Sequence, residues 1–219
     1  MNPTPKTAAR AAALPVSIAF AEGFVPEHDG AAAARARAAE LGLGSISHGV
    51  SSLLTFLARS VHAKTVAEIG TGTGVSALAL LAGMTPDGVL TSIDQENENQ
   101  TVARGILTGV GVPIRRVRLI AGQALGVLPK LTDGAYDLVF IDGDPLEYVE
   151  YVAQAVRLLR SGGILVMHHA LWQGEVADER NEGDEPLIIR EALAAIAAME
   201  DLTPALLPVG DGLLVAIKS

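Results

Sequence analysis

Three residues able to hold or move a proton stand where apolar runs give way to polar loops. They are Asp142 in "YDLVFIDGDP" and the neighbours His168 and His169 in "ILVMHHALWQG". Such a set admits three chemistries. Two imidazoles and one carboxylate can bind a transition metal. One histidine can instead serve as a general base near neutral pH, taking a proton from a substrate hydroxyl beside Asp142. Or both are polar residues lining a cleft or satisfied by the backbone. Adjacent side chains on a strand point to opposite faces, so both rings reach one ion only if the chain has already left the strand. No metal is therefore the expectation.

A second cluster is "AEIGTGTGVS", which contributes Glu68, Gly70, Thr71, Gly72, Gly74 and Ser76. Closely spaced glycines allow a tight turn and let a ligand lie against the backbone, next to the N–H groups that open a helix. Twenty residues beyond Gly74, Asp94 closes the run "GVLTSID", where a carboxylate can accept both hydroxyls of a ribose. A dinucleotide fingerprint starting at Gly70 would need glycine where Val75 stands. Glu68 would repel a pyrophosphate, whereas it suits a cationic ligand. Both features disfavour a nicotinamide enzyme.

The elements that must position these groups follow from the rhythm of the chain. Residues 1–62 read as helices, among them "AAAARARAAELGLG" and "SSLLTFLARSVHA". From Thr65 onward, short apolar runs alternate with helical stretches: "TVAEIG", "GVLTSID", "VRLIAG", "YDLVFIDG" and "GGILVMH" are strands, and the segments between them are helices. That order implies right-handed crossovers and a parallel sheet covered on both faces. Two apolar runs around "GDG" near residue 211 predict a hairpin that adds an antiparallel last strand. The expected architecture is one doubly wound, Rossmann-like α/β domain over 1–219, with a seven-stranded sheet in 63–219 and a helical N-terminal extension.

Bulk properties narrow the partners. The chain has 219 residues, 49% of them hydrophobic, and a net charge of −9. Nucleic acid is not the expected partner, since phosphate binding needs concentrated positive charge. No run reaches the roughly 18 apolar residues of a membrane span. The start, with Lys6 and Arg10 before an apolar run broken by Pro15, reads as a helix rather than a signal peptide. The cytoplasm is the expected location. Cysteine is absent, which removes disulfides and thiolate chemistry.

The runs "VAEIGTGTGVSALAL", "LTSID", "LIAGQALGVLP", "YDLVFIDGDP" and "SGGILVMHHALWQGEVAD" resemble successive motifs of class I S-adenosylmethionine-dependent methyltransferases. They are most similar to the O-methyltransferases related to catechol and caffeoyl-CoA O-methyltransferases, over roughly residues 20–219. The resemblance implies S-adenosyl-L-methionine as cofactor and a small hydroxylated molecule as acceptor. It implies that the glycine loop, Glu68 to Ser76, and Ile46 lie against the methionine part. Asp94 would take the ribose and Gln95 the side of the adenine, with Gly122, Gln123 and Ala124 at its edge. Asp142 would lie between cofactor and substrate. Members commonly dimerise, so a homodimer is expected.

The pattern breaks at the site of chemistry. Metal-dependent members of the family use the acid after the fourth strand, an Asp-Asn pair after the fifth, and a lysine three residues beyond the first acid. Their hard cation anchors both oxygens of a catechol and lowers the hydroxyl pKa. Here the acid is Asp142, but the lysine position is Pro145 and the pair is His168-His169. The expected enzyme is therefore a metal-independent O-methyltransferase with a histidine as proton acceptor. Two alternatives stand beside it: a metal enzyme with altered ligands, and a protein that binds the cofactor without catalysis. Trp172, the only tryptophan, would wall an aromatic substrate or pack under the acidic loop "GEVADERNEGDE".

Overall fold

Seven strands form one sheet in the order β3-β2-β1-β4-β5-β7-β6 in a computed structural model that describes residues 15–219. They are β1 (Thr65–Ile69), β2 (Val89–Asp94), β3 (Val117–Ala121), β4 (Tyr136–Ile141), β5 (Leu159–Met167), β6 (Leu202–Leu207) and β7 (Leu213–Lys218). Strands β1 to β5 pair in parallel, and β7 runs antiparallel to both β5 and β6. Winding goes outward from β1 through β2 to β3, then restarts on the other side at β4. That reversal opens a crevice beyond the carboxyl ends of β1 and β4.

Alternation along the strands divides the core. Val66, Leu90, Leu138, Phe140, Ile164 and Val166 face one layer. It is built by helices α1 (Ala31–Glu40), α2 (His48–Ser60), α3 (Val75–Gly83) and α4 (Asn97–Gly109). Ala67, Ile69, Ile93, Val139, Ile141, Leu165 and Met167 face the other. There the cover is α5 (Ala124–Val127), α6 (Tyr148–Leu158) and α7 (Asp184–Ala198). Central parallel strands are buried on both sides, which is why their sequences read as unbroken apolar runs.

Most expected elements are present, with shifted ends. Strand β5 begins at Leu159 and stops at Met167, one residue before the expected His168. A 3-10 turn, Pro145–Glu147, precedes α6, and the Asp144 side chain accepts from Leu146 N at 3.0 Å. Residues 15–22 are helical, while the first part of the expected N-terminal helix lies outside the described residues. His28 is half-buried and bonded to Thr55 Oγ1 at 2.8 Å.

One strand position carries a fully buried carboxyl group. It is Glu68, next to the end of β1. Its Oε2 accepts from Ser92 Oγ at 2.5 Å, Ser92 pairs with Thr71 Oγ1 at 2.5 Å, and Gln100 Nε2 donates to Thr71 Oγ1 at 2.9 Å. Burial pushes the Glu68 carboxyl from 4.5 up to about 8, assisted by the nearby Asp142 and Asp94 carboxylates and opposed by the Ser76 and Ser92 hydroxyls. The folded state therefore binds more protons than the unfolded chain between those values, and this contribution to stability falls as pH rises. We expect Glu68→Gln to flatten the fall of the Tm between pH 4.5 and about 8, measured by scanning calorimetry across that range.

Candidate active site

The glycine loop is shaped by backbone conformations that favour glycine. Gly70, Gly72 and Gly74 have φ of 93°, 49° and 94°. A Cβ on Gly70 would collide with the carbonyl oxygen of Asp142, so the end of β1 lies directly against the end of β4. Gly72 N donates to Asp94 Oδ2 at 2.8 Å, fastening the loop to the end of β2. Asp94 also accepts from Glu96 N at 2.9 Å and from Asn99 Nδ2 at 3.2 Å.

Two adjoining cavities of about 190 and 410 Å3 occupy the crevice and share Gly70, Asp94 and Asp142. The smaller is bordered by Ile46, Thr71, Gly72 and Ser76. Gln95, Gly122, Gln123 and Ala124 border the larger. Gly74 sits at the N-terminus of α3, against Ala103 of α4. Glu68 lies one layer below the cleft and borders neither cavity. Sequence reading overlooked three contributors. Leu43 lines both cavities, Asn99 holds Asp94, and the hydrogen-bonded pair Tyr151 and Glu147 walls the larger cavity. Nothing in a lone Leu or Asn flags such a role; only the fold brings them in.

Beside Asp142 the chain departs from the sheet. His168 N still bonds to Ile141 O at 2.9 Å, continuing the ladder, but His169 has φ 54° and turns away. The two rings therefore lie on the same side, with centroids 4.0 Å apart. The strand objection to a shared locus is thus removed by one left-handed residue.

The histidines differ in setting. His168 is buried, its Nδ1 is 2.7 Å from Asp142 Oδ1, and its Nε2 has no partner. A proton on Nδ1, donated to Asp142, accounts for that pattern, because a buried N–H at Nε2 would be left unsatisfied. The His169 side chain is 37% exposed against 4% for His168. Its Nε2 is 3.6 Å from Asp142 Oδ1, beyond hydrogen-bond reach. Its Nδ1 is 2.7 Å from Asp211 Oδ2, on the turn between β6 and β7. Trp172 meets the His169 ring edge-on at 5.6 Å and packs against the core; it borders neither cavity.

Asp142, His168 and His169 offer donor atoms within 4.8 Å of one another. Two nitrogens and one carboxylate do not suit a hard, oxygen-liking cation such as Mg2+. A softer ion could not take His168 Nδ1 and Asp142 Oδ1 together without breaking the 2.7 Å bond between them.

Comparison with known proteins shows the chain's family. The family of O-methyltransferases matches residues 33–219. A Mycobacterium tuberculosis protein named "Probable O-methyltransferase" is 48% identical over 200 residues, covering 91% of this chain and 89% of its own. A crystal structure from Corynebacterium glutamicum superposes with a TM-score of 0.88 at 31% identity, over 94% of this chain and 97% of that one. The O-methyltransferase TomG of Streptomyces achromogenes, crystallised with S-adenosylmethionine, gives a TM-score of 0.84 at 28% identity, over 93% and 96%. A family match spanning the glycine loop, both histidines and the whole sheet shows that this chain belongs to the O-methyltransferase family.

Proposed function

We propose that the protein is an S-adenosylmethionine-dependent O-methyltransferase acting on a hydroxyl of a small molecule, without a metal and with His169 as proton acceptor. The observation that supports this most is the meeting of three things at one switch point: the glycine loop, the ribose-type acid Asp94, and Asp142 flanked by two adjacent imidazoles. TomG, a structural neighbour, binds the cofactor.

In this reading the loop from Gly70 to Ser76 and Ile46 hold the methionine portion. Asp94 takes the ribose hydroxyls, and Gln95, Gly122, Gln123 and Ala124 surround the base. When bound there, the cofactor would supply an electrophilic methyl carbon on a sulfonium whose sulfur can take back the C–S bonding pair. Asp142, fixed by His168, faces both cavities and orients the acceptor. The acceptor's hydroxyl proton passes to His169 Nε2 as the new O–C bond forms. Of the two rings, His169 is the more open to a substrate. Much of the rate comes from holding oxygen, carbon and sulfur in line.

The same reading takes the chain as one domain, active as a cytoplasmic homodimer. No helix among the described residues is long and apolar enough to cross a membrane. Phe20 and Phe24 are 72% and 71% exposed with ring centroids 6.1 Å apart, an apolar surface suited to a second copy.

Three results test these assignments. Asp94→Ala should weaken binding of S-adenosylhomocysteine about tenfold to a hundredfold in titration calorimetry, since a charged hydrogen-bond acceptor is lost. His169→Gln should lower kcat by about a hundredfold or more, with that affinity unchanged. Methyl transfer from labelled cofactor to a panel of phenols should persist in EDTA. Loss of transfer restored by one metal would reverse the metal-free assignment, and cofactor binding without transfer to any phenol would mark a non-catalytic protein.

A further inference from the structure

The turn joining β6 to β7 does more than reverse the chain. Both carboxylate oxygens of Asp211 are engaged by the segment that follows β5. Oδ2 is 2.7 Å from His169 Nδ1, and Oδ1 accepts from Gln173 N at 2.5 Å. Two backbone bonds reinforce the contact, Ala170 N to Gly212 O at 3.1 Å and Leu171 N to Asp211 O at 3.0 Å.

The flanking glycines make this approach possible. Gly212 has φ 87°, and a Cβ there would sit 2.6 Å from Leu171 N. Gly210 has φ 57°, and a Cβ there would sit 2.8 Å from Val50 Cγ2 and 3.0 Å from Ser47 Oγ. "GDG" is therefore a device for pressing one carboxylate against the histidine segment, as well as a turn.

A second carboxylate fixes the turn from outside. Glu22, in the helical segment 15–22, accepts from Gly210 N at 2.9 Å through Oε1 and from Gly49 N at 2.6 Å through Oε2. It ties the residue before Asp211 to the first turn of α2.

We propose that Asp211 is a positioning residue for methyl transfer, acting through His169 and clamped in place by Glu22; the proposal rests on His169 being the proton acceptor. A carboxylate at Nδ1 holds the proton there, leaving the Nε2 lone pair free on the side of Asp142. It also offsets the positive charge the ring gains when the acceptor's proton arrives. Without it, nothing would hold the proton at Nδ1, and the ring would favour the opposite tautomer.

The test uses the full chain labelled with nitrogen-15. Long-range proton–nitrogen spectra report which nitrogen of each imidazole carries the proton, with the His169 signals identified by their loss in His169→Gln. In the wild type the His169 proton should be on Nδ1. In Asp211→Ala it should move to Nε2, and in Glu22→Gln the two forms should be mixed. Binding of S-adenosylhomocysteine within about twofold of wild type shows that each variant is folded. If Asp211→Ala does not fold, Asp211→Asn replaces it in the kinetic arm. With 3,4-dihydroxybenzoate as acceptor, kcat should fall about tenfold to a hundredfold in the Asp211 variant, with KM for the methyl donor unchanged. An unchanged His169 tautomer in Asp211→Ala overturns the proposal. So does full kcat in the Asp211 variant alongside a damaged His169→Gln, a result that leaves His169 as acceptor. Full kcat in His169→Gln overturns the underlying assignment instead.

Discussion

The contact on which the cleft depends is the one between Gly70 and the backbone of Asp142. With no side chain at Gly70, the ends of β1 and β4 meet edge to edge, and the loop that follows β1 curls over α3 with Asp142 as its neighbour. Any larger residue would push the two strand ends apart. The loop, the acid beside it and the histidine segment paired to β4 would then no longer converge. Close packing makes such a junction an all-or-none feature rather than an adjustable one.

Around this junction the polar groups form two tiers. Below the loop, Glu68, Ser92, Thr71 and Gln100 form a buried chain that links β1, β2 and α4. Above it, Asp94 and Asp142 face the cleft, each held by neighbours of its own: Gly72, Glu96 and Asn99 for the first, His168 for the second. The lower tier sets the loop's position from beneath, while the upper tier presents charge to the cleft. Glu68 belongs to the lower tier, although its place in the motif suggests the upper.

The strand order and the glycine loop were legible because they depend on local rules. Apolar runs of strand length, glycines at turns and an acid at the end of β2 each have a short-range cause. The antiparallel last strand was legible from "GDG" between two apolar runs. The direction of the histidine rings was not, because it depends on one left-handed backbone angle at His169, a residue with no glycine to announce it. Asp211 and Glu22 were invisible for a different reason. They lie 42 residues from His169 and 188 residues from Gly210, respectively, and only the completed sheet brings them in. Trp172 read either as a substrate wall or as packing under the acidic loop; it meets the His169 ring edge-on and packs against core side chains.

Strand β7 comes last in sequence among the seven but sits inside the sheet, between β5 and β6. During synthesis, β5 must wait with an open edge until Leu214–Ile217 arrive to pair with Met167–Ile164. An unpaired apolar edge of that kind is where a nascent chain is most exposed to wrong partners. The same late insertion brings Asp211 to His169. The residues lining the crevice beyond β1 and β4 therefore leave the ribosome well before Asp211, the partner of His169, does.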